Sequence, residues 1–349
     1  MFYYIVFLFL AFFALNETRI NEREKISFSM FLFGMFLVVF IGLRAGVGGD
    51  WGNYLKYFRD FLPYMTLDDC IKHTDPGYWV SAYFMNEWGF GLYGENVLIA
   101  VIVITGLYKL LKKQPYPWLG LLVAFPYLII VVSMGYARQA AAIGFVMWAL
   151  SYLEERKFLK FLFFIFLAVI FHKTAIIMVG IGILASEGRG KFLKFLAGIL
   201  IAIGLYFAFV AKYEQSLVQN YIMANMQSGG ALIRVFMNVI PAIILIKYRK
   251  KWQEKFEDYK LWFYISIGAI LAVFFVKFAS TVVDRLSLYF IPLQIVVFSR
   301  LPILVEKNKS IIKLLIIFYY FSVMFVWLNF GNFSYWWQPY KNLLWSGVF

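Results

Sequence analysis

Apolar segments long enough to cross a membrane recur along almost the whole chain. One of them, Ile26–Leu43, reads ISFSMFLFGMFLVVFIGL, and a helix needs about 17 to 25 mostly apolar residues to cross the hydrocarbon layer. Since 63% of the residues are hydrophobic and only 15% are charged, the composition is too apolar for a soluble domain. The sequence therefore predicts an integral membrane protein, folded over residues 1–349 as one all-α, polytopic transmembrane bundle.

The positions of the apolar runs predict about twelve membrane segments: 1–15, 26–43, 92–111, 118–134, 135–153, 161–172, 173–186, 192–211, 231–248, 261–278, 286–303 and 311–330. The run 161–186 is too long for one crossing and short for two, so we expect two short helices that meet at His172, shielded from lipid by their neighbours. Between and after the segments we expect a long outer loop at 44–91 with an amphipathic interfacial segment at 76–90, a second outer loop at 212–230 and an outer aromatic tail at 331–349.

Basic residues predict the direction in which the chain is inserted. The first apolar run has no preceding basic region and no cleavage site, so we expect it to remain as the first membrane helix with its amino terminus outside. The connections that then face the cytoplasm contain 22 of the 33 Lys and Arg residues, in agreement with the positive-inside rule.

The net charge of +14 does not imply a nucleic acid partner. The densest basic stretch, KYRKKWQEK at 247–255, lies at a predicted cytoplasmic helix end, where anionic lipid head groups attract Lys and Arg. The chain has one cysteine and two histidines, too few for a zinc cluster. We therefore expect membrane lipids around the protein, and neither a metal nor another cofactor.

Three arginines, Arg44, Arg138 and Arg285, are predicted on the outer side, against the general bias of the basic residues. The ordinary explanations are a helix end for Arg44, a side chain reaching the head groups for Arg138, and pairing with a nearby carboxylate for Arg285. The functional alternative is a shared phosphate or pyrophosphate site, because guanidinium groups bind such oxygens bidentately and stay charged. Arg234 is predicted near the same level.

Two candidate proton acceptors are predicted on the same side. His172 lies at the helix break, where it is either a structural, hydrogen-bonded histidine or a general base. Asp50 follows the glycine turn GVGG and either stabilises that turn or orients and deprotonates a hydroxyl group. The aromatic tail is typical of an interfacial belt, although its flat rings also suit the faces of sugars.

Four short motifs occur in order along the chain: RAGVGGDWGNY at 44–54, ARQAAA at 137–142, FHKTA at 171–175 and DRLSLYF at 284–290. Together they resemble the EpsG-type, Wzy-like bacterial polysaccharide polymerases, over roughly residues 44–289. The resemblance implies a GT-C-like helical bundle in the bacterial inner membrane, with an active site that faces the periplasm.

The same resemblance implies a metal-independent glycosyltransferase that joins oligosaccharide repeat units carried on undecaprenyl pyrophosphate, as in O-antigen, capsule or exopolysaccharide synthesis. Its expected partners are the lipid-linked donor and acceptor, a chain-length regulator and a flippase. On this hypothesis Arg138 and Arg285, then Arg44, stabilise the departing pyrophosphate, and His172, then Asp50, is the base. The remaining candidates, which would bind substrate, are Arg234, Trp51, Tyr54 and Tyr289.

Other functions of a membrane bundle remain open at this point. An O-antigen ligase uses the same donor and differs mainly in its acceptor. A non-enzymatic flippase or exporter of lipid-linked glycans would also need basic groups, although no pair of related halves is visible in the sequence. An acyltransferase would place its catalytic residues toward the cytoplasm, and a purely structural protein would not need arginines and a histidine on the outer side.

Overall fold

The computed structural model describes residues 1–19, 26–186, 191–207 and 229–344. This part of the chain is helical and contains no β-strand, which confirms the all-α prediction. The helices are α1 (Phe2–Asn16), α2 (Phe28–Gly42), α3 (Trp51–Lys56), α4 (Leu67–Lys72), α5 (Pro76–Glu87), α6 (Gly91–Leu111), α7 (Pro117–Gly135), α8 (Ala137–Glu154), α9 (Phe158–Phe171), α10 (Lys173–Ala185), α11 (Lys191–Leu205), α12 (Ala231–Lys247), α13 (Arg249–Lys255), α14 (Tyr259–Phe275), α15 (Ser280–Val305) and α16 (Lys309–Phe330).

Each of the twelve predicted segments overlaps one of these helices, and residues 208–211 of the segment 192–211 lie outside the described part of the chain. Within the described residues, four helices are both long and apolar enough to cross a membrane, namely α6, α7, α15 and α16. The pair α12 and α13, bent by 76°, makes a fifth if it counts as one span. The apolar helices α1, α2, α9, α10 and α14 are shorter. The chain is thus a membrane protein, and the number of twelve crossings stays a prediction.

Helices α7 and α15 form the centre of the bundle. The most apolar stretch of α7 is entirely buried and that of α15 is 89% buried, whereas only 28% of that of α16 is buried. Helix α8 packs against α6 and α9, and α15 packs against α7. The contact between α6 and α8 is close because Gly106 faces Gly144, as the small-residue sequence of α8 predicts.

The predicted loop 44–91 is largely helical. It contains α3, α4 and α5, with a π-helical turn at Tyr57–Phe61 and a 3₁₀ turn at Leu62–Tyr64 between them. Helix α5 corresponds to the predicted interfacial segment 76–90 and packs against both α6 and α9. The second predicted loop, 212–230, lies almost wholly outside the described residues, and the tail is described as far as residue 344.

Candidate active site

The site is built around the break between α9 and α10. His172 has an extended backbone (φ −156°, ψ 109°), so the helix stops there and a 3₁₀ turn restarts it at Lys173–Ile176. The Thr174 hydroxyl lies 3.0 Å from the hydroxyl of Tyr289, which fastens the break to α15. The structure confirms the predicted break and places His172 in the interior, 8% exposed.

Asp75 lies opposite this break and is the residue on which the site is centred. It is 6% exposed and has a left-handed backbone (φ 55°, ψ 58°) directly before Pro76, the first residue of α5. Such a conformation costs on the order of 1 kcal/mol in a non-glycine residue. An aspartate at this position usually caps its helix, but no side-chain cap is formed here. The carboxylate is directed toward other partners.

Three groups face the Asp75 carboxylate. The Arg138 guanidinium donates a hydrogen bond to Oδ2 at 3.0 Å, and the backbone N–H of Lys173 donates to Oδ1 at 3.3 Å. The Nδ1 atom of His172 lies 4.0 Å from Oδ1. The helices can approach this closely because residue 77 is a glycine, whose Cβ would lie 2.7 Å from the Phe171 ring. Asp75 thus joins α5, α8 and the broken helix.

Arg138, in the first turn of α8, is held in place but not enclosed. Besides its bond to Asp75, its guanidinium lies 5.9 Å from the centre of the Tyr78 ring and interacts with the buried Tyr54. Its side chain is nevertheless 31% exposed, against 5% for that of Asp75. An arginine with one bound edge and one accessible edge can contact a ligand.

Asp50 is the second carboxylate of the site and is carried by the glycine turn. Gly48 has a φ of +106°, and a Cβ there would lie 2.0 Å from the carbonyl oxygen of Met134. Only glycine therefore allows the backbone of the turn to pack against Met134. Burial raises the pKa of Asp50, although the positive charges of Arg138 and Arg285 act in the opposite direction. Asp50 remains partly exposed.

The chain after α16 folds back over the glycine turn. The Gly48 N–H donates to the carbonyl of Trp336 at 2.9 Å. Trp337 is 2% exposed, and its indole N–H donates to the Ile130 carbonyl at 2.8 Å. Its ring lies beside Gly49, where an added Cβ would be 3.6 Å from it. The aromatic tail therefore supports the segment that carries Asp50.

Arg44 lies beneath this segment and is not brought to Asp75. It is 1% exposed, and its guanidinium donates to the carbonyls of Ile41 at 2.6 Å and Val47 at 3.2 Å and to the Asn96 side chain at 3.0 Å. The Trp51 ring lies 5.7 Å from it. These contacts suit a residue that fixes the end of α2 and the start of the turn.

Arg234 and Arg285 lie on the other side of the site. Arg234 forms a two-pronged ion pair with Asp284, with distances of 2.7 and 2.6 Å. The Gln139 side chain donates to the backbone carbonyl of Arg285 at 2.6 Å, which links the start of α15 to α8. Between these elements lies a cavity of about 100 Å³ lined by Tyr127, Tyr136, Gln139, Arg234, Thr281, Asp284, Arg285 and Leu288.

Asp75, Thr174 and Gln139 are not among the candidate residues predicted from the sequence. The signal for Asp75 was present, because an Asp-Pro pair before an amphipathic run is typical of a helix start. That signal predicts the helix and says nothing of the unusual direction of the carboxylate. Thr174 and Gln139 lie within motifs already recognised, beside His172 and Arg138. We refer to Asp50, Tyr54, Asp75, Arg138 and His172 together as the Asp75 cluster.

A second charged cluster lies at the opposite end of α8. Arg300 is 3% exposed and donates to Asp258 at 2.7 Å and to Gln114 at 2.9 Å. Asp258 also accepts the indole N–H groups of Trp252 at 3.1 Å and Trp262 at 2.9 Å. We refer to these five residues as the Arg300 cluster.

The Asp75 cluster combines groups suited to group transfer. An accessible guanidinium can stabilise charge that develops on a departing oxygen, and a partly exposed carboxylate with a raised pKa is suited to accept a proton. Buried aromatic rings and apolar helices surround both groups.

Comparison with known proteins shows the family to which the chain belongs. No curated protein and no solved structure matches the chain significantly. The model of the EpsG family matches residues 27–342, a range that includes every residue of the Asp75 cluster and all four motifs. This match confirms the resemblance seen in the sequence: the chain is a membrane protein of the polysaccharide-polymerase type and belongs to the EpsG family.

Proposed function

We propose that the protein polymerises oligosaccharide repeat units carried on undecaprenyl pyrophosphate, and that the Asp75 cluster is its catalytic centre. On this proposal the chain is a GT-C-like glycosyltransferase of the bacterial inner membrane, and the cluster faces the periplasm. The observation that carries the proposal is the partly exposed Arg138 guanidinium, held by the buried Asp75 and close to the partly exposed Asp50.

At the anomeric carbon the reaction forms one bond and breaks one, and a proton is transferred from the acceptor hydroxyl. A hydroxyl oxygen of the acceptor sugar attacks the anomeric carbon of the donor chain, and its proton passes to the Asp50 carboxylate. The bond from the anomeric carbon to the phosphate oxygen breaks, and undecaprenyl pyrophosphate leaves with the electron pair. Arg138 and Arg285 stabilise the negative charge that develops on it. Each such donor contributes on the order of 3 kcal/mol in well-studied enzymes.

Asp50 is preferred here to His172 as the base, in reverse of the order that the sequence suggested. Asp50 is partly exposed, as a group that must reach a substrate hydroxyl should be. His172 is 8% exposed, and its Nδ1 atom lies 4.0 Å from Asp75. We assign His172 and Asp75 the role of holding Arg138 in position across the broken helix.

The other predicted residues receive supporting roles. Tyr54 interacts with Arg138 from the helix that follows Asp50. Tyr289 is completely buried and anchors the broken helix through Thr174. Arg44 and Trp51 shape the base of the glycine turn. The apolar helices provide the surface along which the polyprenyl tail of the donor lies.

The distribution of basic residues supports the proposed orientation. Arg300 and Lys313 belong to connections predicted to face the cytoplasm, whereas Arg138 begins a segment predicted to enter from outside. A helix of 18 residues such as α8 is about 27 Å long at 1.5 Å per residue. The two charged clusters therefore lie near opposite faces of a membrane about 30 Å thick.

Reconstitution tests the proposal directly. Purified protein in lipid vesicles receives undecaprenyl-pyrophosphate-linked repeat units and no nucleotide sugar, and the products are separated by size. We expect a ladder of lengthened lipid-linked glycans that is lost in Arg138→Lys and Asp50→Asn and kept in Arg59→Ala. Arg59 is a suitable control because it forms an exposed pair with Asp60 in the same outer segment.

Two other results would contradict the proposal. Units that cross the bilayer without being lengthened would identify a flippase. A single transfer to a lipid A core acceptor, without a ladder, would identify a ligase.

A further inference from the structure

The cavity between α7, α8, α12 and α15 is lined by hydroxyl and amide groups, by one ion pair and by Arg285. Its wall contains the hydroxyl groups of Tyr127, Tyr136 and Thr281 and the amide of Gln139. It also contains the carboxylate of Asp284, paired at 2.6 Å with Arg234. The Asp284 carboxylate repels a phosphate group, and its pairing offsets the charge of Arg234. Arg285, the second arginine of the wall, interacts with Asp50 on the side of the Asp75 cluster.

A lining of hydroxyl groups, an amide and an ion pair is suited to binding a sugar. Each sugar hydroxyl both donates and accepts hydrogen bonds, and side-chain hydroxyl and amide groups can do the same. Paired charges add strong directional bonds, and aromatic rings cover the apolar faces of a sugar ring. The volume of about 100 Å³ accommodates several water molecules or the hydroxyl-bearing edge of one sugar.

The position of the cavity links it to the Asp75 cluster. Tyr136, in its wall, interacts electrostatically with Asp50 as well as with Asp284. Arg285, also in its wall, interacts with Asp50. Tyr136 and Gln139 of the wall also flank Arg138 in the sequence, so a sugar bound in this cavity lies beside the Asp75 cluster.

We infer that this cavity is a saccharide subsite, which binds the terminal sugar of the acceptor glycan and presents its hydroxyl to Asp50. The inference rests on the proposed polymerase function. It adds that the acceptor, and not the donor, binds on this side of the Asp75 cluster. It gives Arg234 the role of holding the Asp284 carboxylate toward the sugar.

Removing single hydroxyl groups tests the inference with little change in shape. Tyr136→Phe and Thr281→Val are compared with Tyr335→Phe, which removes a hydroxyl from a residue 60% exposed in the tail. Initial rates are measured at fixed donor concentration while the concentration of a soluble acceptor, the repeat-unit glycan without its carrier, is varied. We expect the KM for the acceptor to rise roughly three- to tenfold in each cavity variant, with kcat and the KM for the donor within twofold of wild type.

A rise in the KM for the donor with an unchanged KM for the acceptor would overturn the inference in favour of a donor or pyrophosphate site. Unchanged values for both substrates would show that the cavity binds neither. Melting temperatures within a few degrees of wild type establish that each variant is folded.

A binding measurement separates the failure of this inference from the failure of the proposed function. Calorimetry with the soluble glycan is expected to show binding that weakens in Tyr136→Phe and Thr281→Val and is not displaced by inorganic pyrophosphate. Displacement by pyrophosphate, or equal binding to all variants, would contradict the saccharide subsite. If wild type lengthens no glycan, the polymerase proposal fails, and the same calorimetry still decides whether the cavity binds sugar.

Discussion

The Asp75 cluster and the Arg300 cluster lie at the two ends of α8 and show two different uses of charge in an apolar bundle. The Arg300 side chain is 3% exposed and its donors are bonded to Asp258 and Gln114, with the ring of Phe256 only 4.2 Å away. The Arg138 side chain is 31% exposed and is bonded to Asp75 along one edge. An enclosed cluster with paired donors stabilises the fold, whereas a held but accessible arginine can act on a substrate.

This difference predicts opposite consequences of mutation. Substitution in the Asp75 cluster should reduce turnover more than it reduces stability. Substitution in the Arg300 cluster should do the reverse.

Asp50→Asn should produce the largest loss. Replacing a general base typically lowers the rate by roughly 10² to 10⁴-fold, so we expect no visible glycan ladder. Because burial raises the pKa of Asp50, the activity of wild type should fall on the acid side at a pH above the ordinary aspartate pKa of about 3.9. Rates measured from pH 4 to 8, in vesicles of constant composition, test this.

The same shift has a stability consequence of defined sign. A carboxyl group whose pKa is raised on folding binds protons more strongly in the folded state, so stability falls as pH rises from its unfolded pKa to its folded pKa. Asp50→Asn should therefore melt at the same or a higher temperature than wild type at neutral pH. An unchanged acid limb in the residual activity of Asp50→Asn would exclude Asp50 as the base.

Arg138→Lys should lower the rate by about 10² to 10³-fold. Lysine keeps a positive charge beside Asp75, so the buried carboxylate is not left unpaired, but it lacks the planar fork of the guanidinium group. The rate is measured as the amount of undecaprenyl pyrophosphate released in a single turnover. A rate within threefold of wild type would remove Arg138 from the reaction.

Arg300→Ala should destabilise the protein by about 3 to 5 kcal/mol, because it leaves the Asp258 carboxylate, only 10% exposed, without its cation. We expect a lower melting temperature in detergent and a lower yield of folded protein. The rate per folded molecule should stay within about twofold of wild type. A large loss of rate in a fully stable variant would break the contrast between the two clusters.

Trp337→Phe should lower both the stability and the rate, each by a smaller amount. It removes the hydrogen bond to the Ile130 carbonyl and the part of the ring that supports the glycine turn, at a cost of about 1 to 3 kcal/mol. Since that turn carries Asp50, the rate should also fall several-fold. Trp336→Phe, at a ring 46% exposed, is the matched control and should leave both quantities unchanged.

The sequence predicts the long apolar helices well because their signal is local, whereas the short helices α3 and α4 fall in a stretch predicted as a loop. Apolar runs of membrane length mark the segments, and the polar pair at His172 and Lys173 marks the break. The sequence also predicts that Asp50, Arg138 and His172 lie on the same side of the membrane. This follows because successive membrane helices run in alternating directions. The structure brings these three side chains into one cluster.

What the sequence does not predict depends on contacts between distant parts of the chain. Arg44 and Arg138 look alike as arginines at the ends of apolar segments, yet only the structure shows that Arg44 is enclosed by carbonyl groups. The aromatic tail resembles an interfacial belt, but Trp337 enters the core beneath the glycine turn. Asp75 resembles an ordinary helix cap, and its carboxylate turns away only because Arg138 and the broken helix are present.

One measurement tests the central claim most directly: the rate of glycan lengthening per folded molecule in Arg138→Lys and Arg300→Lys, prepared and reconstituted together with wild type. We predict that Arg138→Lys melts near the wild-type temperature and lengthens no glycan, while Arg300→Lys melts at a lower temperature and retains the wild-type rate per folded molecule. Normal lengthening by Arg138→Lys, with loss of lengthening in a stable Arg300→Lys, would place the chemistry at the opposite end of the bundle and contradict the account.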